Sequence, residues 1–521
     1  MQQQLPPSPN LSHLKKQAKS LLKSVRAGDP AALQRFIDTL PAARSTDLAT
    51  LASRELRLHD AHSVIAREYG FKSWLELSRY VEWTRTTGAK RIEQWLRSVY
   101  DGNASARRIA LRVLREQPAL FRGDPWVACA TGDVDVIESA IAADASWVNL
   151  LGGPLAMPPL VAVTHSRLIA EPDLAPNFLS SAKHLLDAGA NVDSAWINPA
   201  WPDGAQSALY GAAGITHHVA MTTLLLDAGA NPNDNESLYH SVESRDSSCT
   251  RILLRAGVRV NGTNALARVL DFDKLDDLRL MIEHGGDVNE RPLVHHAILR
   301  GRSIEHIRLL FDAGADMRRM NEHGVSLFRF AQAFGRADVV ELLRAAGVDE
   351  QLDESELFVS ACARGDEPAA RAMLASAPEL ISRLTARQLQ TMPELAGTGN
   401  IAAVRIMLAL GWPREVKTAW DATALNLAVF RGDAQMAELL LDGGADWRTR
   451  HGFNDNVIGT LAWASREESM VEPAPRDYEG CARALLAHGV PAPDADAYGF
   501  SDEVTAIFDA WREDNAGAVV E

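Results

Sequence analysis

Cysteine is scarce. Only Cys129, Cys249, Cys362 and Cys481 occur in 521 residues, and they lie far apart. That spacing offers no disulfide framework and no metal-binding pair, and it fits a reducing compartment. No apolar run approaches the ~18 residues a membrane helix needs. The first ten residues, Met-Gln-Gln-Gln-Leu-Pro-Pro-Ser-Pro-Asn, have no basic start and no apolar stretch, so a secretory signal is not expected. Enzymatic motifs are missing too: no phosphate loop, no Gly-x-Ser-x-Gly elbow, no His-Glu-x-x-His and no Cys-x-x-Cys. The expectation is a cytoplasmic chain that uses no metal and no cofactor and contacts no membrane.

Charge is plentiful but unevenly placed. Residues 1–123 hold 21 Lys and Arg against 11 Asp and Glu, a net +10, so the remainder carries −25 of the overall −15. Lys15, Lys16, Lys19 and Lys23 recur along one expected helix. They form either a solvated face, a face that packs on the acidic remainder, or a docking surface for nucleic acid or an acidic partner. The acidic remainder repels phosphate backbones, so nucleic acid is not an expected ligand of that part.

Local signals place helices at 11–27, 58–69, 91–99 and 104–116. Asn10 or Ser12 is positioned to cap the first. Gly28 then breaks the chain, and Asp29 with Pro30 starts another helix. Gly70 stops the helix before it, and Ser73 is placed to begin the next. The expected organisation is a disordered 1–10, a basic helical domain or cap at 11–123, a repeat array at 124–495, and a capping helix with a tail at 496–521.

The array rests on a recurring phrase. Leu-Leu-Asp-Ala-Gly-Ala-Asn-Val-Asp spans 185–193 and Leu-Leu-Asp-Ala-Gly-Ala-Asn-Pro-Asn spans 225–233. Leu-Phe-Asp-Ala-Gly-Ala-Asp follows at 310–316 and Leu-Leu-Asp-Gly-Gly-Ala-Asp at 440–446. Each copy reads as a helix closed by a left-handed Gly. Gly229, Gly257, Gly285 and Gly314 are 28, 28 and 29 residues apart, and Gly314 to Gly347 and Gly411 to Gly444 are each 33.

A second phrase precedes the first in each unit. It reads Ser207-Ala208-Leu209-Tyr210-Gly211-Ala212, then Glu236-Ser237-Leu238-Tyr239-His240-Ser241, Pro292-Leu293-Val294-His295-His296-Ala297 and Val325-Ser326-Leu327-Phe328-Arg329-Phe330. The most regular copy is Ala422-Thr423-Ala424-Leu425-Asn426-Leu427-Ala428 with Arg431-Gly432-Asp433. This pattern resembles the ankyrin repeat, a turn plus two helices with a period of about 33 residues. The resemblance implies an all-α ankyrin-repeat solenoid of about ten to eleven units with a helical N-terminal domain. It departs from the family in its shortened 28-residue units and in insertions at Ser166–Ser181 and Arg466–Tyr478. Leu14-Lys15-Lys16-Gln17-Ala18-Lys19 and Val64 to Trp74 resemble a region that precedes ankyrin repeats in bacterial proteins, which implies a bacterial source and no chemistry.

In such arrays the first helices and finger turns line a concave surface, so equivalent positions stack as a ladder. Two residues after the anchoring apolar position come Gly211, His240, Arg268, His296 and Arg329. Five residues after it come His165, Gly214, Glu243, Asp271, Leu299 and Gln332. His295 occupies the family's own His position, which implies a bond to the neighbouring turn. Trp196 and Trp201 sit in an extended Pro-rich finger at 196–204, with Tyr210 and Tyr239 placed to face the same region. Two Trp in such a loop either staple the finger or anchor a ligand. Asp234 or Asn235 is positioned to cap the following helix.

Two functions follow as expectations. The first is a binding protein that holds a protein or peptide on its concave face, with His165, Trp196, Trp201, Tyr210, Tyr239, Arg268, His296 and Arg329 as ligand-contacting residues. The alternative is an enzyme acting on a small polar substrate, such as a carbohydrate, in a groove at about 155–335. There Glu243 and Asp271 would act as acid or base with His240 in support.

Overall fold

Nine glycines close nine helices in the same way. In the computed structural model Gly189, Gly229, Gly257, Gly285, Gly314, Gly347, Gly411, Gly444 and Gly489 all have φ between +74° and +93°. The residue four before each glycine is Leu185, Leu225, Leu253, Met281, Leu310, Leu343, Met407, Leu440 or Leu485, and every one is 0% exposed. Its carbonyl accepts from the amide just past the glycine, as in Ala190 N to Leu185 O at 2.9 Å and Ala315 N to Leu310 O at 2.9 Å. One apolar residue thus anchors the core and closes its own helix, which is why the phrase recurs.

The structure describes residues 3–6, 8–40, 43, 46–53, 56–102, 104–199, 202, 204–466, 476–493 and 498–515. Among these described residues the chain is all-α apart from a short hairpin, and it divides into two compact units, Gly88–Arg364 and Met1–Thr87 with Gly365–Glu521.

Within Gly88–Arg364, helices pair as expected for helix–turn–helix repeats. Ala265–Asp271 is followed by Leu275–Glu283, Leu293–Leu299 by Ile304–Asp312, and Leu327–Ala333 by Ala337–Ala345. Polar side chains join successive repeats at the turn. Asn261 Oδ1 accepts from Asp287 N at 2.7 Å while its Nδ2 donates to Gly285 O at 3.1 Å. Asn289 does the same with Asp316 N and Gly314 O, both at 2.8 Å, and Asp193 accepts from Asn231 N at 2.8 Å. These Asn and Asp side chains therefore satisfy backbone groups of the next repeat, which would otherwise need water or a cap.

The extended finger is a two-stranded antiparallel hairpin, Ala195–Ile197 with Ala205–Ser207, in which Trp196 faces Gln206. The Ser166–Ser181 insertion forms a 3₁₀ turn at Arg167–Ala170 and lengthens the helix Ala175–Asp187. Most of the second insertion, 467–475, lies outside the described residues.

In the other unit the N-terminal helices begin where caps were expected. Asn10 accepts from Ser12 N at 2.8 Å to start Leu11–Arg26, and Asp29 accepts from Ala31 N at 2.9 Å to start Pro30–Thr39. Ser73 accepts from Glu76 N to start Trp74–Arg85. Arg35 grips Glu68 through two 2.7 Å bonds, tying Pro30–Thr39 to Leu58–Glu68. The C-terminal helix Asp502–Asp514 packs on Leu58–Glu68. The repeats of this unit include Thr391–Thr398 with Ile401–Ala409 and Ala424–Arg431 with Ala434–Asp442.

Among the described residues no helix is long and apolar enough to cross a membrane. No cluster of His, Cys, Asp and Glu among them is arranged to hold a metal. The four cysteines are buried and unpaired.

Candidate functional site

Three successive first helices, Ser237–Ser241, Ala265–Asp271 and Leu293–Leu299, carry the polar ladder. His240 Nδ1 lies 3.1 Å from Glu243 Oε1, and its Nε2 lies 3.3 Å from Glu236 Oε2. Arg268 reaches back one repeat and donates from Nε to Glu243 Oε1 at 3.1 Å, with its Nη2 on the same oxygen. Its Nη1 approaches Asp271 Oδ2 at 3.5 Å. Asp271 is then met from the next repeat by His296 Nε2 at 2.8 Å and Arg300 Nε at 2.7 Å. The result is one line of alternating charge, Glu236, His240, Glu243, Arg268, Asp271, then His296 and Arg300.

The line is half-buried. Side chains of His240, Arg268, Asp271 and His296 are 21% to 26% exposed and that of Glu243 only 5%. At that depth screening by solvent is weak, so pairing matters more than on an open surface. Burial works against the carboxylate of Glu243, but His240 and Arg268 outweigh it and hold its pKa below the usual range. Burial opposes the charge of Asp271 too, and His296 and Arg300 override it, leaving a pKa of about 2. For His240, desolvation disfavours the cation, but Glu236 and Glu243 together raise its pKa to about 9.

Aromatic rings flank this line. The guanidinium of Arg268 sits 5.0 Å from the Tyr239 ring centre and 4.8 Å from that of Phe272, in cation–π geometry. The Tyr239 ring meets His240 edge-on at 4.9 Å.

Tyr210 and His165 lie deeper. Tyr210 is 7% exposed, 5.1 Å from the His240 ring and 5.9 Å from that of His165. Burial pushes its hydroxyl pKa well up. It is turned inward where the helix widens into a π turn at Gly211–Ile215, closed by Thr216 N donating to Gly211 O at 3.0 Å. His165 is buried, with Nδ1 3.0 Å from Val161 O and Nε2 without a partner among the described residues. Burial pulls its pKa down to about 4. Gly211 is required there, because a Cβ would fall 2.3 Å from His165 Nδ1.

The remaining expected residues sit elsewhere. Trp196 is 6% exposed and its indole donates to Leu155 O at 3.0 Å, stapling the hairpin to the loop before it. Trp201 lies outside the described residues. Arg329 turns to the following segment, where it meets Glu350 at 2.7 Å, Glu356 and Gln351 O at 3.1 Å. His295 approaches Val325 O at 3.2 Å, as its position in the repeat implies. Asp234 caps Ser237–Ser241, accepting from Ser237 N at 2.8 Å, and also binds the Ser207 hydroxyl at 2.5 Å.

Sequence spacing missed Glu236 and Arg300, which complete the line. Each lies four residues from a ladder histidine, Glu236 before His240 and Arg300 after His296, and that interval puts both on the same helix face.

Chemically, the arrangement is self-neutralised. Both central carboxylates are held as anions well below neutral pH, so this pair lacks the raised pKa that a carboxylic acid donor requires. A cavity lined by Val260, Asn264, Leu266, Asp287, Glu290 and Leu293 has room for about 10 Å³, the size of a single water, and it does not include the ladder.

Comparison with known proteins identifies the repeat. Residues 420–451 match the family model of the ankyrin repeat. No curated protein matches the chain. Similar solved structures include two ankyrin repeat domains. The human ASB11 ankyrin repeat domain is 22% identical, over 44% of this chain and 100% of that one, with a TM-score of 0.33. The ankyrin repeat domain of Bcl-3, a member of the IkappaB protein family, is 17% identical over 48% of this chain and 98% of that one, with a TM-score of 0.20.

Proposed function

We propose that this chain, an ankyrin-repeat protein, binds a protein or peptide partner through the first-helix face of residues 236–300. Binding of proteins is the general role of such repeats, and the charge line from Glu236 to Arg300 supports this face as the place. Its cations and anions alternate across three repeats at half-buried depth. A partner strand laid across it meets fixed donors and acceptors in sequence, with Tyr239 as an apolar platform beside them. Alternating sign rewards a partner of complementary pattern and penalises one of uniform charge.

Peptides selected from a displayed library on the full chain test the reading. Binders are to be re-measured on Arg268→Ala, His296→Ala and, as a control, Arg279→Ala on the exposed side of Leu275–Glu283. The expected result is loss of affinity of about tenfold or more for the first two and none for the control. Selected peptides that bind all four proteins equally remove this face from consideration.

A further inference from the structure

The helix Leu11–Arg26 contains five Lys and Arg and no Asp or Glu. Its apolar side, Leu14, Ala18, Leu21, Leu22 and Val25, is buried, and the helix packs on Pro30–Thr39 and Leu58–Glu68. Lys16, Lys19, Lys23 and Arg26 are exposed on the opposite side. Their intervals of three, four and three residues keep them within an arc of about 80° and string them along about 15 Å of the helix axis. None of the four makes an ion pair among the described residues.

Other surface helices answer their cations locally. Arg97 pairs with Glu93 at 3.0 Å, Lys183 with Asp187 at 2.7 Å, Arg371 with Glu367 at 2.6 Å and Arg483 with Glu479 at 2.8 Å, each across one helical turn. On Leu11–Arg26 the neighbours at such intervals are like charges: Lys16 with Lys19, Lys19 with Lys23, and Lys23 with Arg26. Each such pair destabilises a helix by about as much as an opposite pair supports it. Successive cations stand about 5–6 Å apart at Cβ, inside the screening length of about 8 Å at physiological salt, so they act on an approaching charge together. The stripe is thus kept at a cost in helix stability that carboxylates from outside the chain would remove.

We propose that this face of Leu11–Arg26 docks an acidic helical segment of a partner protein, whose carboxylates recur at the same three- and four-residue intervals. Two helices laid side by side then bring one Glu or Asp to each cation along the stripe. A segment of that length meets cations alone. A nucleic acid extends well past the stripe, and beyond it the chain's overall charge of −15 repels phosphates. An anionic membrane gains less, since the apolar side of the helix is already buried in its own unit and has nothing to insert. This surface belongs to the unit of Met1–Thr87 and Gly365–Glu521, whereas the peptide face at 236–300 belongs to the other, so the two readings stand independently.

Fluorescence anisotropy of the full chain with a labelled Ala-based peptide of three heptads tests the proposal. Glu occupies the first and fourth places of each heptad, and a shuffled peptide of the same composition spreads the same Glu around the helix. The patterned peptide is expected to bind saturably and to weaken as salt rises from about 50 to about 300 mM. The shuffled peptide is expected to bind about tenfold or more weakly. Lys19→Glu is expected to lose about tenfold or more in affinity for the patterned peptide, and Arg279→Glu, on the exposed side of Leu275–Glu283, none. Lys19→Glu also places an acid within one turn of both Lys16 and Lys23, so its unfolding midpoint is expected to stay level or rise, which separates lost binding from lost folding. Equal binding of the two peptides, or equal binding of the patterned peptide by Lys19→Glu and the wild type, overturns the proposal. A lowered midpoint for Lys19→Glu overturns it as well, because the stripe would then be answered inside the chain. Duplex DNA or phosphatidylserine vesicles that bind the chain more tightly than the patterned peptide overturn it in favour of a nucleic acid or a lipid surface.

Discussion

Nε2 of His296 lies 2.8 Å from Oδ1 of Asp271, a contact between side chains of neighbouring repeats. Arg300 reaches the same oxygen at 2.7 Å. Asp271 is thus the point where two repeats are pinned by charge. Its folded pKa of about 2 lies below the usual aspartate value of 3.8. A depressed carboxylate pKa contributes stability that is present above about 3.8 and lost as pH falls through 2. Asp271→Asn is expected to cost about 1–3 kcal/mol in urea unfolding at pH 7, because it leaves Arg300 and His296 facing a neutral group. The cost is expected to shrink toward pH 2. A constant difference between pH 7 and pH 2 would show that the ion pair contributes nothing.

His240 predicts the opposite limb. Held between Glu236 and Glu243, its pKa is raised from 6.5 to about 9. Stability from such a group is fully present below about pH 6.5 and is lost as pH rises through 9. Wild-type stability is expected to fall by on the order of 2 kcal/mol across that window. His240→Gln is expected to flatten this limb. Denaturation midpoints at half-unit steps from pH 6 to pH 10 measure it, and an unchanged slope in the variant contradicts the assignment.

Much of this was legible in the chain, and the exceptions have local causes. The closing glycines and the buried residues four before them recur because one φ and one core position recur, so the repeats could be read directly. Caps at Asn10, Asp29 and Ser73 were equally direct. Aligning the first helices brought His240, Glu243, Arg268, Asp271 and His296 onto one line, since equal positions in stacked helices become neighbours. Spacing does not encode rotation, however. Tyr210 lies buried just ahead of the π turn at Gly211–Ile215, and the hairpin folds Trp196 onto Leu155 O. Arg329 keeps its position in the ladder but finds Glu350 and Glu356 on the segment that follows. The closure of residues 1–87 with 365–521 into one unit rests on contacts hundreds of residues apart, for which no local pattern exists.

The recurring phrase predicts two separable costs within one repeat. Leu253 is 0% exposed, and its carbonyl accepts from Val258 N at 3.2 Å. Leu253→Ala leaves a cavity between helices and is expected to cost about 2–5 kcal/mol. Gly257 has φ +82° and open space around any added Cβ. Gly257→Ala therefore isolates the backbone penalty, about 1–2 kcal/mol, with no steric clash added. Urea unfolding of both variants checks the ranking, and a Gly257→Ala protein as unstable as Leu253→Ala would contradict it.

The joints between repeats are polar and predict a smaller loss. Asn261→Ala strips Asp287 N and Gly285 O of their partner at once. The site is exposed, so water takes over part of both bonds, and a cost of about 1 kcal/mol is expected. Hydrogen exchange should quicken first at the amide of Asp287, the group that loses its acceptor. Protection there that matches the wild type would mean the side chain is not the acceptor in solution.

His165 offers a test in the stabilising direction. Its Nε2 is buried without a partner among the described residues, and burial lowers the pKa to about 4. Between about pH 4 and 6.5 the unfolded chain binds a proton there that the folded chain refuses, so this residue destabilises the fold as pH falls through that window. His295, also lowered to about 4 by burial, acts in the same sense and keeps part of the effect when His165 is replaced. His165→Phe removes the orphaned nitrogen and the titration together, and the ring fills the same slot against Tyr210. The variant is expected to gain about 1–3 kcal/mol at pH 5, with a smaller gain at pH 8. Guanidinium unfolding at the two pH values measures the difference. A loss of equal size at both would mean that Nε2 is hydrogen-bonded in solution and that the histidine is there to make that bond.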